Sequence, residues 1–359
     1  MPKTVDYSKW AVVAHNDDTG FGRQAADIKA VLGVQKHIVI PSERLADKPL
    51  VPPHDVLLKP SDPTECVERA LEDLDGIIFF ERTNWHPELL PVARKLGVAT
   101  VCVPNWEWFN GVGKSWALCD LLACPTKFTV SVVEQYGWDQ AKFLPWAIDT
   151  SGLPVRKIKG PARTFFHNAG LVDRDDRKGT RDTILAFKRV KRSDIRLIVR
   201  MQKEVPLPPL DERIEIRVGN LAHPADLYRE GDVAIQPSKM EGIGFMVLEP
   251  VCCGIPVLTI DYPPMNEFVQ QPEMRACKRW FKRRAFATSW IPHAHLRLPS
   301  INDLSRKIEW CASNDMTRVS EENLAWSRST FSKERLFEVW TQQLNTLVKS
   351  KASKAPCPA

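Results

Sequence analysis

Residues 236 to 256 read Gln236-Pro-Ser-Lys-Met-Glu241-Gly242-Ile243-Gly244-Phe245-Met-Val-Leu-Glu249-Pro-Val-Cys-Cys-Gly254-Ile-Pro256. The apolar residues Val233 to Ile235 just before have the character of a strand end. Phe245 to Cys253 reads as a helix that passes from amphipathic to buried and stops at Gly254. Between them lies a glycine-bearing loop. A strand, a loop whose backbone can be approached closely, and a helix N-terminus with unsatisfied N–H groups together make a site for an anion such as a phosphate. Two carboxylates flank it. Glu241 sits in the loop, and Glu249 lies about one turn inside the helix with a side chain leaning back toward the N-terminal end. Both can face one ligand, although either alone also reads as a helix cap or a solvated helix residue.

Outward from this stretch the chain alternates strands and helices. Ala11 to Ala14 is a short buried strand, followed by His15-Asn-Asp-Asp-Thr19-Gly20-Phe-Gly22-Arg23 and a helical pattern from Gln24 to Leu32. Strand, glycine loop and helix form an opening βα unit of the dinucleotide-binding type, and a lone Gly-x-Gly is equally at home in a tight turn. Strands follow at His37 to Ile40, Gly76 to Phe80, Val98 to Val103, Leu121 to Cys124 and Lys142 to Leu144, with helices at Thr64 to Leu74 and Glu88 to Leu96. A second series starts at Arg163: a strand ending in Gly170, a helix opening after Lys178-Gly179, strands at Ile195 to Val199 and Ile214 to Val218, a short helix at Ala225 to Arg229, and, beyond the central stretch, a strand at Pro256 to Ile260. Helices at Ile301 to Ser313, at Glu321 to Ser327 and on through Val348 complete the chain. This alternation predicts α/β architecture with two Rossmann-like domains, each a parallel sheet covered on both faces. The expected domains are 1–150 and 151–330, then a helix over 331–349 that crosses back to the first domain, and a disordered tail over 350–359.

The 359 residues suffice for two domains, and 43% hydrophobic with 26% charged residues fits a soluble globular protein. No apolar run approaches the ~18 residues of a membrane span. The N-terminal stretch lacks the apolar core of a signal peptide, so a cytoplasmic location is expected. Nine scattered cysteines without a Cys-x-x-Cys pair read as reduced core thiols rather than a structural zinc site. His293-Ala-His295 lacks a nearby third ligand, and no metal is expected. Two loops at strand ends, Glu81-Arg-Thr-Asn-Trp85-His86 and Pro104-Asn105-Trp106-Glu107-Trp108, are rich in aromatic and hydrogen-bonding groups. They suit a sugar- or base-binding rim, or simply the packing of that rim.

Glu241-Gly242-x-Gly244-Phe245, a second Glu eight positions on, and Gly254-Ile-Pro256-Val into a strand resemble the signature of the retaining GT-B glycosyltransferases of the family-4 type. Lys178-Gly179 and the terminal Phe331-Ser-Lys-Glu334 resemble further parts of that pattern, whereas Leu171 stands where the family usually has Arg. The resemblance implies a retaining, metal-independent hexosyl- or pentosyltransferase that uses a nucleotide sugar, UDP- or GDP-linked. By that resemblance Glu241 holds sugar hydroxyls, Glu249 accepts from the ribose, and the backbone of Gly242, Ile243, Gly244 and Phe245 contacts sugar or phosphates. Lys178 is expected to hold the diphosphate, with Arg174, Arg177 or Arg200 compensating for Leu171. Gly20 and Gly22 belong to the first glycine-rich loop, His86 or His15 is expected near the sugar, and the acceptor is expected between the domains. Cations at a helix start oppose the macrodipole, which favours an anionic ligand near Lys178.

The acceptor class is the open part. A small molecule, glycan or lipid is the default for the resemblance. Lys278-Arg279-Trp280-Phe281-Lys282-Arg283-Arg284 offers another class, since interleaved cations and aromatics suit phosphate contacts with base stacking. A phage-type transferase acting on a modified DNA base is therefore carried as one alternative, and a catalytically weak GT-B-like binding subunit as a second. The plain alternative for the cluster itself is a surface helix whose aromatics face the core.

Overall fold

The computed structural model describes residues 5–17, 19–42, 48–284 and 295–354. Two compact units appear: Met1–Asp149 with Phe331–Ala359, and Thr150–Thr330.

The first unit is built from β1 (Trp10–Ala14), α1 (Gly20–Leu32), β2 (Lys36–Val39), β3 (Asp55–Leu57), α2 (Thr64–Leu71), β4 (Gly76–Phe80), α3 (Leu89–Leu96), β5 (Ala99–Val103), β6 (Leu121–Cys124), α4 (Lys127–Glu134) and β7 (Ala141–Phe143). Its seven strands run in the order β3-β2-β1-β4-β5-β6-β7, all parallel. Every residue of β1, β4 and β5 is buried. That is why these segments read as unbroken apolar runs rather than alternating ones. Gly76 is required by packing, because a Cβ there would lie 2.5 Å from the Trp10 ring.

The second unit contains β8 (Thr164–Gly170), α5 (Thr180–Arg189), β9 (Arg196–Met201), β10 (Ile214–Val218), β11 (Val233–Gln236), α6 (Phe245–Cys252), β12 (Val257–Ile260), β13 (Arg275–Ala276), β14 (Lys278–Arg284), β15 (His295–Pro299), α7 (Ile301–Ser313) and α8 (Thr317–Phe331). Its main sheet is ordered β10-β9-β8-β11-β12-β13 and is parallel, while β14 and β15 form a separate antiparallel pair. Both main sheets thus start in the middle and wind outward both ways. The reversal falls between β1 and β4 in the first unit and between β8 and β11 in the second. Ligands of such sheets bind outside the carboxyl ends of the strands at these reversals.

The last helix, α9 (Lys333–Lys354), belongs to the first unit. Its Trp340 is fully buried and donates from Nε1 to the Pro145 carbonyl at 2.9 Å. Asn345 accepts from the Val5 amide at 2.7 Å, and Lys351 lies 2.8 Å from Asp120. These contacts carry the helix six residues past Val348, through part of the tail expected to be disordered; residues 355–359 lie outside those described.

Two local expectations bear on the second unit. The short helix expected at Ala225 to Arg229 is present as a 3-10 segment, Pro224–Arg229. More consequentially, Lys278–Arg284 is a strand and not a helix, and Trp280 is 92% exposed instead of core-facing. On the other strand of the hairpin, Leu296 of β15, opposite Arg283, is fully buried. Of the histidine pair weighed as metal ligands, His293 lies outside the described residues, and no metal-holding group of His, Cys, Asp and Glu occurs among the described ones. Also among the described residues, no helix is long and apolar enough to cross a membrane. The described cysteines are free thiols, five of the eight buried and Cys277 exposed. Burial pushes Cys124 and Cys253 up to about 12, as inert core thiols require.

Candidate functional site

Two loops meet at the carboxyl ends of β8 and β11. Past the regular ladder, the Gln236 side chain accepts from the Asn168 amide at 3.1 Å and donates to the Asn168 carbonyl at 3.0 Å, so the two strands stay paired at their ends. The loops that follow are then locked together. The Lys239 amide donates to the Arg177 carbonyl at 2.7 Å, and the buried Lys239 ammonium lies 3.0 Å from Asp176 and 2.8 Å from Asp182. Gly179, in the left-handed region with φ +74, lies so close to the neighbouring loop that a Cβ would sit 2.7 Å from the Pro237 carbonyl oxygen. Only glycine meets both demands.

Within this frame Lys178 reaches Glu241. Its Nζ donates to both carboxylate oxygens, at 2.6 and 2.8 Å, although 63 positions separate the two residues. Glu241 is 6% exposed. Burial by itself would raise its pKa, but the charges of Lys178 and Arg177 and the Lys178 hydrogen bond outweigh that and hold it below the ordinary carboxylate value. A buried charge pair of this kind is a site held ready in ionised form.

Each of the two loops runs into a helix N-terminus. Asp176 accepts from the Thr180 amide at 2.9 Å and from the Arg181 amide at 3.2 Å, so the start of α5 is satisfied by the chain itself. α6 starts directly from the turn that carries Glu241, with Gly244 at φ 84 as its N-cap. Glu249 sits in the second turn of α6, 7% exposed, and its Oε2 accepts from the buried Tyr228 hydroxyl. Behind the loops, His167 spans β8, β11 and α5: its Nδ1 lies 2.7 Å from the Ile235 carbonyl and its Nε2 2.9 Å from the Thr180 hydroxyl. Since a carbonyl only accepts, Nδ1 carries the proton and Nε2 accepts from Thr180. Complete burial pushes this histidine down to about 4, so it is neutral.

The structure thus brings together Lys178, Arg177, Glu241 and the Gly242-Ile243-Gly244-Phe245 turn that leads into α6 and Glu249. Arg174 is exposed on the first loop. Arg200 is committed elsewhere: its guanidinium pairs with Glu230, which Arg217 also approaches at 2.8 Å. Leu171 is 61% exposed and supplies no cation. Sequence reading missed Lys239, Asp176, His167 and Tyr228. Lys239 lies within the central stretch, and a lysine two positions before a glycine-loop glutamate was the one signal available; the others are defined only by distant partners.

The remaining predicted residues belong to the first unit. Gly22 in α1 is fixed by the chain's own backbone, since a Cβ there would lie 1.7 Å from the Asp17 carbonyl oxygen; at Gly20 nothing lies within 4 Å. His86 is 2% exposed, with Nε2 donating to the Asp62 carbonyl at 3.0 Å and Nδ1 accepting from the Glu88 amide at 3.1 Å. Both nitrogens are therefore engaged in holding the loop. His15 stands at the end of β1, its ring 5.0 Å from Trp85, while the Arg82 guanidinium lies 4.3 Å over that same Trp85 ring. Glu81 follows β4 directly with φ 62, a conformation costly for a non-glycine residue. It accepts from Asn105 at 2.6 Å and from Gln24 at 3.1 Å.

Two doubly wound parallel sheets, each with its loops at the carboxyl ends, together with a long terminal helix that belongs to the first unit, define the GT-B class of fold. The family model for "Glycosyl transferases group 1" matches residues 216–284, the segment holding Glu241 and Glu249, and so supports the resemblance to the retaining group 1 transferases. No curated protein matches the sequence. Among solved structures the chain is similar to sucrose-phosphate synthase from Thermosynechococcus elongatus, at 13% identity and TM-score 0.61, covering 95% of this chain and 99% of that one. It is similar to the lipopolysaccharide outer core galactosyltransferase WaaB in its apo form, at 11% identity and TM-score 0.61, with 95% and 99% covered. It is also similar to a mutant of S. aureus TarM, solved with fondaparinux, alpha-GlcNAc-glycerol and UDP, at 13% identity and TM-score 0.56, covering 79% of this chain. The chain spans 58% of the length of that TarM structure. At such identities these likenesses carry the fold alone.

Proposed function

We propose that the protein is a retaining glycosyltransferase that binds a nucleotide sugar, UDP- or GDP-linked, on the loops after β8 and β11. The observation that carries this reading is the buried Lys178–Glu241 pair on the loop that leads into the N-terminus of α6. Breaking the glycosidic bond leaves negative charge on the departing diphosphate. Lys178 and Arg177, with the positive end of α6, are the groups that meet that charge as it grows, and being fixed in place they need no reorganisation to do so. Glu241 accepts from sugar hydroxyls, and its ionised state keeps Lys178 aimed at the loop until the diphosphate arrives. Glu249, already oriented by Tyr228, accepts from the ribose. With no side-chain nucleophile assigned, retention follows from departure and attack on one face of the sugar.

The reading is tested by incubating the full chain with a panel of UDP- and GDP-sugars and measuring nucleotide release without added acceptor. At least one sugar nucleotide is expected to be hydrolysed, and Lys178→Ala and Glu241→Ala each to slow release by about a hundredfold or more at saturating sugar nucleotide. Unchanged rates in these variants would sink the assignment. Saturable binding without hydrolysis of any sugar nucleotide would favour the binding-subunit alternative.

A further inference from the structure

The hairpin β14–β15 is the feature that the sugar-nucleotide site does not use, and it is fastened to that site. Arg283 donates to the Asp175 carbonyl at 3.0 Å and lies 3.2 Å from its carboxylate, three positions before Lys178. On the opposite strand the Arg297 amide donates to the Lys239 carbonyl at 2.9 Å, two positions before Glu241, and the Arg297 guanidinium stands 5.1 Å over the Tyr262 ring. Each strand of the hairpin therefore holds one of the two loops that carry the candidate site.

What the hairpin turns outward is unusual. Trp280 is 92% exposed, more than any other large apolar side chain among the described residues, and Phe281 edges it with ring centroids 5.5 Å apart. Lys278 and Lys282 are exposed on either side of the pair. The Arg279 guanidinium, reaching to within 6.0 Å of the Phe281 ring, donates to the Pro299 carbonyl at 3.1 Å, which props the strand. Leaving an indole in water forgoes its large burial gain, and the fold obtains nothing for it. Cations before and after an open aromatic face fit a ligand that alternates negative charge with a flat unsaturated surface. A nucleic acid strand has this alternation, one phosphate per base, and its bases are open to stacking only when unpaired. An acidic glycan matches the charge but lacks the flat unsaturated face, and an acidic peptide lacks the regular alternation. The net charge of +6 acts in the same sense.

We infer that Lys278, Trp280, Phe281 and Lys282 form a docking surface for single-stranded nucleic acid, with a base stacked on Trp280 and phosphates on the two lysines. That such a strand is also the sugar acceptor rests on the transferase reading; the docking itself does not.

The test is fluorescence anisotropy of a labelled 20-nucleotide thymidine oligomer titrated with the full chain from low to moderate salt. Binding is expected at low salt, weakened about tenfold or more by Trp280→Ala. The double variant Lys278→Gln/Lys282→Gln is expected to reduce the slope of log affinity against log salt by about 1.4, the release of two counterions from a single strand. A duplex of the same length should bind less tightly and respond less to Trp280→Ala. Absence of binding at low salt overturns the inference, as does equal affinity of wild type and Trp280→Ala. A heparin interaction that depends on Trp280 while the oligomer's does not would also overturn it and assign the surface to an acidic glycan. Nucleotide release from the sugar nucleotide should be unchanged in Trp280→Ala, so loss of docking and failure of the transferase reading are read separately.

Discussion

The two units place their crevices at equivalent points, between the first and fourth strands of sheets wound in the same order, yet the crevices differ in electrostatic character. In the second unit the crevice is ionic and closed: Lys178 with Glu241, and Lys239 with Asp176 and Asp182, each charge matched at 3.0 Å or less. In the first unit it is polar and aromatic. Glu81 gathers the amide groups of Gln24 and Asn105, whose own side-chain oxygens are buried without a hydrogen-bond partner among the described residues, and Arg82 lies over rings. A shared topology therefore dictates where a ligand sits, while the loop residues dictate what kind of ligand it is.

Several measurements would break or sharpen this contrast. The largest effect is expected from splitting the ionic pair: Lys178→Ala leaves Glu241 buried without its cation and should cost about 3 kcal/mol in urea unfolding, more than the double variant Lys178→Met/Glu241→Gln. Arg82→Ala in the other crevice removes a partly solvated cation and should cost about 1 kcal/mol or less. Equal losses from the two single variants would erase the distinction between the crevices.

The next effect is one of pH. His167 and, in the first unit, His37 are both held down to about 4 by burial, from an ordinary 6.5. Below pH 6.5 the unfolded chain takes up protons that these folded histidines refuse. Their stabilisation is thus complete above pH 6.5 and is lost as pH falls toward 4, by about 3 kcal/mol for each histidine. Unfolding of His167→Gln at pH 7 and pH 5 should show a smaller pH dependence than wild type. An unaltered pH dependence would show that His167 is not the buried neutral bracket of the second crevice.

The glycine loop of the first unit gives a finer test. Gly22→Ala drives a methyl into the Asp17 carbonyl and should cost about 2 kcal/mol, whereas Gly20→Ala meets open space and should change stability by about 0.5 kcal/mol or less. If both were tolerated, the loop would be looser than its geometry implies. Smallest of all, Trp280→Ala should leave the unfolding free energy within about 0.5 kcal/mol of wild type, because the indole touches little of the fold. A larger loss would return Trp280 to a structural role.

Much of the architecture is legible along the chain because buried parallel strands announce themselves as apolar runs between helical periods. The helix Ile301–Ser313 is legible to the residue, and Glu241 and Glu249 are marked by their place around a glycine loop. The basic aromatic segment reads wrongly as a helix for a reason equally local: seven large side chains without an apolar period leave strand and helix undecided. The partner strand His295–Pro299 resolves them, through pairings such as Lys282 with Arg297. His86 looks like a ligand-facing residue because it follows an aromatic loop, and only its two hydrogen-bond partners show how it is engaged.

By itself, then, the sequence determined the alternation of elements, the two-sheet class and the glutamate-bearing loop, since each depends on patterns spanning fewer than about twenty residues, which propensity and periodicity can carry. Tertiary structure alone decided that Lys178 belongs to Glu241, that Lys239 lies between Asp176 and Asp182, and that Arg283 fastens the basic aromatic hairpin to the loop at Asp175. Those facts are distances between residues far apart in the chain, and Coulomb interaction and burial depend on distance in space rather than on separation in sequence.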